Sequence, residues 1–336
     1  ISENGFSKGI ISLVPSKNDE TVKEGALSSE IPFTDFLDNQ AHFKYFFGPN
    51  KYNILNQVTE GFSQNIELGW LFLPFINKYL IIPIFNFLEN FMSNYGLIII
   101  VMVLIIRIIL SPLTYKSHIS MAKMRVLKPE LDAIREKHDG DMQKAQPDQL
   151  ELYRKVGINP LSGCIPVLLQ FPILVSLFYF IPSAIELRLE SFLWADDLSS
   201  YDSILNLPFN IPFYGDHVSL FTLLMAGSTI LYTMANSQMT TIQGPMKTMQ
   251  YLMPIMFLFF FNSYPSGLSY YYFITNLVSF GQIALFRKFI NEDKIKLIME
   301  ENKKLNVNKK KSKFQLRLEE AMKANQAAQK SKGKKK

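Results

Sequence analysis

The chain has 336 residues and a net charge of +6, with 48% hydrophobic and only 19% charged residues, whereas soluble domains of this size carry nearer a quarter charged. Residues 156–185, 218–246 and 248–286 hold no Asp, Glu, Lys or Arg at all, and uncharged runs that long read as membrane spans. A soluble enzyme, a disulfide-rich secreted domain and a disordered chain are thereby excluded. The single cysteine, Cys164, and four scattered histidines offer neither a disulfide framework nor metal-ligand spacing, so no cofactor and no metal is expected. Ile1 follows no initiator methionine and opens no leader pattern, so an earlier segment is expected to have preceded it.

Residues 1–64 mix polar and apolar character, with short β-like runs at 9–14 and 42–47 separated by Pro, Gly and Asn. So short a piece rarely makes a stable sheet alone. It is expected to be the end of an extracytoplasmic β domain plus a connector. Residues 65–93 interleave Trp70, Phe72, Phe75, Tyr79, Phe85, Phe87 and Phe91 with Lys78, Glu89, Asn77, Asn86 and Asn90, a mixture that suits a helix lying in the outer membrane interface.

The first span is expected at 95–113, long enough at ~20 residues to cross the hydrocarbon. Residues 115–156 read as a helical hairpin. Met121, Met124, Leu127, Leu131 and Ile134 recur at helical spacing, the sequence His138-Asp139-Gly140-Asp141 breaks the helix, and Pro147 restarts it. The hairpin is either a solvated pair packing on itself or a docking arm for a partner, with Met121 and Met124 suited to adaptable apolar contact. Further spans fall at 159–185 and 218–236, and the 39-residue uncharged run divides into two at Tyr264-Pro265-Ser266-Gly267. Five spans result, an all-α polytopic fold. A basic tail, 289–336, completes the chain; seventeen Lys and Arg follow Ala284 against six acids. It reads as disordered or marginally helical, and serves either anionic lipid, the RNA backbone of a docked ribosome, or solvation alone.

Orientation follows from Lys and Arg in the connections: nine in 114–157, seventeen after Ala284, and one in 186–215. The first two regions belong in the cytoplasm and the third outside. Five spans satisfy that parity.

Arg107 lies two-thirds of the way along the first span. An arginine near the bilayer centre costs ~2.5–3.5 kcal/mol on insertion scales, and no acid lies in any of the five spans to pair with it. It therefore calls for a wet chamber, with candidate lining from Gln170, Ser176, Ser228, Thr229, Thr233, Tyr271, Thr275, Asn276, Ser279 and Gln282. Any one of these alone is more often a helix-packing contact. A small-solute transporter or channel would also use such a chamber, but internal repeats and midplane acids are missing from the sequence, as are protease motifs and phosphate loops.

The ordered residues resemble the YidC-type membrane protein insertases, the bacterial branch of a family with mitochondrial and chloroplast members. The resemblance runs from about residue 46 to 288. It rests on Phe47-Gly48-Pro49, Arg107 with Pro112-Leu113-Thr114, Ser120-Met121-Ala122-Lys123-Met124, Pro129-Glu130, Asn159-Pro160-Leu161, Gly163-Cys164, Leu169-Gln170, Glu186-Leu187-Arg188, Leu193-Trp194, Pro265-Ser266-Gly267-Leu268, Tyr271-Tyr272 and Asn276-Leu277. It implies a five-helix core (94–288) with an amphiphilic groove holding Arg107, a mobile cytoplasmic hairpin contacting partners through Met121, Met124, Leu127 and Leu131, and an outer interfacial helix. It further implies a non-enzymatic role in inserting nascent membrane proteins at the bacterial inner membrane, with clients, the Sec translocon, the lipid bilayer and the ribosome as partners and no sequence-specific nucleic acid. The resemblance carries over Arg107 and, for client contact, Tyr271 or Tyr272, with Tyr272 favoured; Gln170, Ser176, Thr233, Asn276 and Gln282 join them as groove residues from the reading of polar positions on the spans. Val103 stands where some members have a threonine, so no hydroxyl contact is expected there.

Overall fold

A computed structural model describes residues 8–15, 23–30, 45–158, 165–237 and 245–305. The chain divides into two compact units, Ile1–Ile66 and Glu67–Lys336.

In the first unit, β1 (Lys8–Pro15) pairs antiparallel with β2 (Lys23–Glu30), with Ile11 opposite Leu27. The ribbon exposes Ile10, Ile11, Leu13, Val14 and Leu27. The strand expected at 9–14 is therefore present. Of the second run, residues 42–44 lie outside the described residues and 45–47 form no strand. A short helix, α1 (Tyr52–Val58), and a 3-10 turn at Phe62–Asn65 close the unit, with Phe46 set edge-on against Phe62.

The second unit opens with a broken helix in place of the single interfacial helix expected from 65–93. Gly69 and Leu71 take left-handed backbone conformations, and helix begins only at α2 (Leu73–Ile76). It widens into one π turn at Asn77–Ile81 and resumes as α3 (Ile82–Glu89). The wide turn adds a residue, so that Ile81 and Ile82 are both buried beside Leu73, Phe85 and Leu88, and it brings Asn77 inward. The Asn77 amide donates to the carbonyls of Leu68 (2.9 Å) and Ser176 (3.0 Å). Trp70, Phe72, Phe75, Tyr79, Phe87 and Phe91 remain exposed on the other face.

α4 (Tyr95–Val126) is capped by Asn94, whose side chain accepts from the Leu97 amide at 3.1 Å. Sequence reading ended this helix near Leu113, but it runs unbroken through Pro112 into the hairpin. Pro112 removes one backbone donor and lies on an exposed face, and the helix tolerates it. At ~1.5 Å per residue its 32 residues reach ~48 Å, well beyond a ~30 Å hydrocarbon layer. Among the described residues it is the one helix long and apolar enough to cross a bilayer by length and composition; 168–183, 220–236 and 248–261 are shorter apolar helical stretches.

The hairpin continues as α5 (Lys128–Glu136), a turn with Asp139 and Gly140 at positive φ, and α6 (Met142–Val156). The break falls where expected, but the second arm restarts at Met142, with Pro147 inside it. Then follow α7 (Ile165–Ser183), α8 (Leu220–Ser237), α9 (Pro245–Phe261), α10 (Ser266–Phe289) and α11 (Glu292–Leu305). The turn between α9 and α10 sits at Tyr264-Pro265, as the sequence indicated.

The long helices have their ends sorted into two groups. At one end, Phe192 covers Gly96 at the start of α4, and the amides of Ser266 and Gly267 donate to the carbonyls of Ser200 and Leu198. A two-stranded hairpin, β3 (Leu205–Ile211) and β4 (Gly215–Val218), leads into α8 at the same end. At the other end, α11 packs on α4 and α6. The 115–156 hairpin and the segment after α10 therefore share one side. The 184–219 connection and the α9–α10 turn share the opposite one.

Candidate functional site

Arg107 lies between Ile106, which is buried, and Ile108, which is exposed, at the edge of the α4 face that meets α10. Its Nη2 donates to the carbonyl of Thr275 at 3.4 Å, and its own carbonyl accepts from Gln282 Nε2 at 3.3 Å. These two bonds stitch α4 to α10. No carboxylate among the described residues lies within ion-pair distance of the guanidinium. None of its nitrogens is both buried and unbonded, so the donors left over by Thr275 face accessible space. The phenols of Tyr271, Tyr232 and Tyr272 lie near enough to Arg107 to interact with its charge, as does the His118 ring.

The other expected residues divide by environment. Tyr271 is buried on α10 and accepts from Gln170 Nε2 at 3.3 Å, joining α7 to α10. Tyr272, one residue on, is only half-buried. Asn276 is committed to packing: its amide donates to Ser228 Oγ (2.9 Å) and Thr229 Oγ1 (2.8 Å) and locks α10 to α8. Thr233 donates back to the Thr229 carbonyl at 2.8 Å. Ser176 is fully buried, and its carbonyl accepts from Asn77, so it belongs to the seam between α7 and the broken helix rather than to the Arg107 neighbourhood. The structure thus gathers Arg107, Gln170, Tyr271, Tyr272 and Gln282 around α10 and sets Ser176 apart. Tyr232 was missed. It lies three residues beyond Thr229 on α8, so the same helical face as Ser228 and Thr229 pointed to it.

The four hairpin residues expected to contact partners are buried in this structure. Met124, Leu127 and Leu131 are buried in one cluster with Ala122, Val156, Ile158 and, from α11, Ile295 and Met299, while Met121 is buried against Ile283 and Tyr232. The helical periodicity identified their common face; α11 covers Met124, Leu127 and Leu131, while Ile283 and Tyr232 cover Met121. Arg125 pairs with Glu292 at 2.7 Å, and Lys303 with Glu130. The 292–305 part of the tail is thus an ordered, docked helix with equal numbers of Lys and acidic residues, and the excess positive charge lies beyond it, at 306–336, outside the described residues. Replacing Ile295 with Asp puts a carboxylate into that apolar cluster, at a cost on the order of 3 kcal/mol or more. Amide exchange across 292–305 should rise sharply while α8 and α10 keep their protection; unchanged exchange in α11 would contradict the docking.

At the hairpin tip, the Asp148 carboxylate meets the His138 ring at 2.9 Å and Lys137 at 3.4 Å. The His138 hydrogen bond foremost, helped by Lys137, holds the Asp148 carboxyl below its ordinary value. A depressed carboxylate stabilises the fold above its unfolded value of ~3.9 and loses that contribution as pH falls through the lower folded value. Protection of amides 137–148 relative to their intrinsic exchange at each pH should therefore fall a few-fold on acidification. Asp148→Asn should show the weaker protection already at neutral pH and lose the acid step.

Residues 87–294 match the family described as 60Kd inner membrane protein. The chain belongs to that family. Relatives named membrane protein insertase YidC are 54% identical over 325 residues in Amoebophilus asiaticus, covering 96% of this chain and 54% of the relative. In Parabacteroides distasonis the figures are 44% over 344 residues, 97% and 54%; in Cytophaga hutchinsonii, 46% over 323 residues, 94% and 52%. The chain spans about half the length of the curated relatives it matches. The family match reaches six residues past the end of the resemblance read from the sequence, into α11.

Proposed function

We propose that the chain is the membrane-embedded working part of an insertase and assembly chaperone, which receives nascent membrane proteins and delivers their apolar segments to lipid. The observation that carries this reading is Arg107: a guanidinium on the α4–α10 seam, with no carboxylate partner among the described residues and with unbonded donors that are not fully buried.

α4, α7, α8, α9 and α10 are read as five membrane-crossing helices, with the 115–156 hairpin, α11 and the basic tail in the cytoplasm and the 184–219 connection outside. The two-group sorting of helix ends supports this, because alternate connections fall on alternate sides. It agrees with the Lys and Arg distribution. The 73–89 segment is read as an interfacial element, since its exposed face is aromatic and its Asn77 is tied to α7 two turns inside that helix's outer end. Residues 1–64 are read as the end of an outer β domain.

The mechanism is energetic. A client's polar outer segment would otherwise have to cross ~30 Å of hydrocarbon. Arg107, charged at any working pH, gives that segment a transient partner, and the half-buried Tyr272 offers apolar contact with a polar tip. Gln170, Tyr271 and Gln282 hold the seam rigid around it. Burial of the client's own apolar segment in lipid then outweighs a loose contact, so that release needs no covalent step. The tail after residue 305 is assigned to the ribosome, and assistance to the Sec translocon is part of the same reading.

The test is reconstitution of the full chain into sealed liposomes, with a short single-span client synthesised outside. Protection of the client's outer segment from added protease, dependent on the chain, is the expected result. Equal protection in empty liposomes would overturn the proposal.

A further inference from the structure

We propose that the tip of the β3–β4 hairpin is a lipid anchor, immersed in the outer leaflet beside α9. Residues 203–215 run for thirteen positions without a charged side chain, between Asp202 and Asp216, whereas 186–202 carries six. Within this stretch Leu205 and Phe209 are exposed, and Phe213 at the tip is 95% exposed. Phe213 also holds a left-handed backbone, φ 67°, a conformation in which bulky side chains are outliers and for which Gly or Asn is the ordinary choice. A strained, fully exposed phenylalanine contributes nothing to the hairpin itself.

The position of the turn names the occupant. Tyr214 packs its ring on Phe259 of α9 at 5.6 Å, and its carbonyl accepts from Asn262 at 2.8 Å. The tip is thus level with the last turn of α9, where Phe259 and Phe260 are themselves exposed. A surface continuous with the lipid-facing side of a spanning helix, apolar and without charge, fits acyl chains just below the headgroups. Pro208 and Pro212 fit the same place, since each removes a backbone N–H that a two-stranded ribbon would otherwise leave unbonded in a poorly hydrated layer. Leu189 and Leu193, in the same connection, repeat the pattern of left-handed backbone and exposed side chain.

The inference rests on α9 crossing the bilayer as proposed above, and the experiment separates the two. In the full chain with Cys164→Ala, single cysteines at Phe213→Cys, Met256→Cys on α9 and Leu27→Cys in the first unit are spin-labelled and reconstituted in phosphatidylethanolamine–phosphatidylglycerol vesicles. Collision with oxygen is compared with collision with a water-soluble nickel chelate. At Phe213 oxygen should dominate, less strongly than at Met256 and in contrast to Leu27. Nickel access at Phe213 equal to that at Leu27, with Met256 still protected, overturns the anchor alone; a label at Phe213 shielded from both reagents means a protein covers the tip and also overturns it. Nickel access at Met256 overturns the spanning role of α9 and the anchor with it. Phe213→Gly, which suits the left-handed backbone, should leave thermal stability in detergent unchanged or raised, and a marked loss would show that Phe213 serves the fold instead.

Discussion

Arg107→Ala should lower insertion of clients with acidic outer segments about tenfold while leaving clients with uncharged outer segments within about twofold of the parent. A charge-assisted hydrogen bond is worth about 1.5–3 kcal/mol, and partial hydration places this contact at the low end, where ~1.4 kcal/mol is a factor of ten. Arg107→Lys keeps the charge but gives up the planar fork, and should fall between the two. The measurement is the protease-protected fraction of paired clients that differ only in outer charge. Equal losses for both clients would mean that the arginine serves the α4–α10 seam, through Thr275, rather than the client. Gln282→Leu is the companion variant: it removes the bond to the Arg107 carbonyl and leaves the guanidinium in place, so it should weaken the seam without sorting clients by charge.

Asp202→Ala should be the most damaging substitution for stability. Asp202 is 3% exposed. It accepts from the amides of Leu220 (2.9 Å) and Phe221 (3.1 Å), from Trp194 Nε1 (2.9 Å) and from the Ser219 hydroxyl. A single carboxylate thus caps α8 and ties it to the outer connection, with its negative charge at the positive end of the helix dipole. Alanine strands the buried Phe221 amide and leaves the part-buried Leu220 amide and Trp194 Nε1 without their acceptor, while the Ser219 hydroxyl keeps Thr222 Oγ1; at about 1–3 kcal/mol for an unsatisfied buried group, a loss of about 3 kcal/mol is expected. Thermal unfolding in detergent should shift down by several degrees. Asp202→Asn keeps one acceptor oxygen and should lose clearly less. Equal losses for the two variants would show that charge, not the acceptor geometry, holds the cap.

The bundle was legible in the sequence because lipid and water leave opposite marks on composition. Uncharged runs located α7 to α10, Tyr264-Pro265 located the turn between α9 and α10, and His138 to Asp141 located the hairpin break. Periodicity is weaker evidence, because it reports that a face is apolar and not what covers it. Met121, Met124, Leu127 and Leu131 therefore read equally well as a partner surface and as a core; in the structure Ile295 and Met299 bury Met124, Leu127 and Leu131, and Ile283 and Tyr232 bury Met121. α11 was hidden for the same reason: its buried positions sit among lysines and glutamates that resemble the basic stretch after it. Backbone detail was illegible too. Neither the π turn at Asn77 nor the unbroken passage of α4 through Pro112 follows from local propensity: the first goes with the bonds of the Asn77 amide to Leu68 and Ser176, and the second is tolerated on an exposed face. Around Arg107 the sequence indicated Gln170, Tyr271, Tyr272 and Gln282, which the structure places on or beside α10. The sequence had no means of separating Asn276 and Ser176, already bonded into helix seams, from Gln282 and Tyr272.

The grip of α11 on the hairpin also has a mechanical side. Two ion pairs and a shared apolar knot join residues 292–305 to the root of the 115–156 arm, and α4 carries that root, without a joint, up to Arg107. A pull on the chain beyond Leu305 is therefore not dissipated in a loose leash; it loads the arm and, through one stiff rod, the helix that bears the guanidinium.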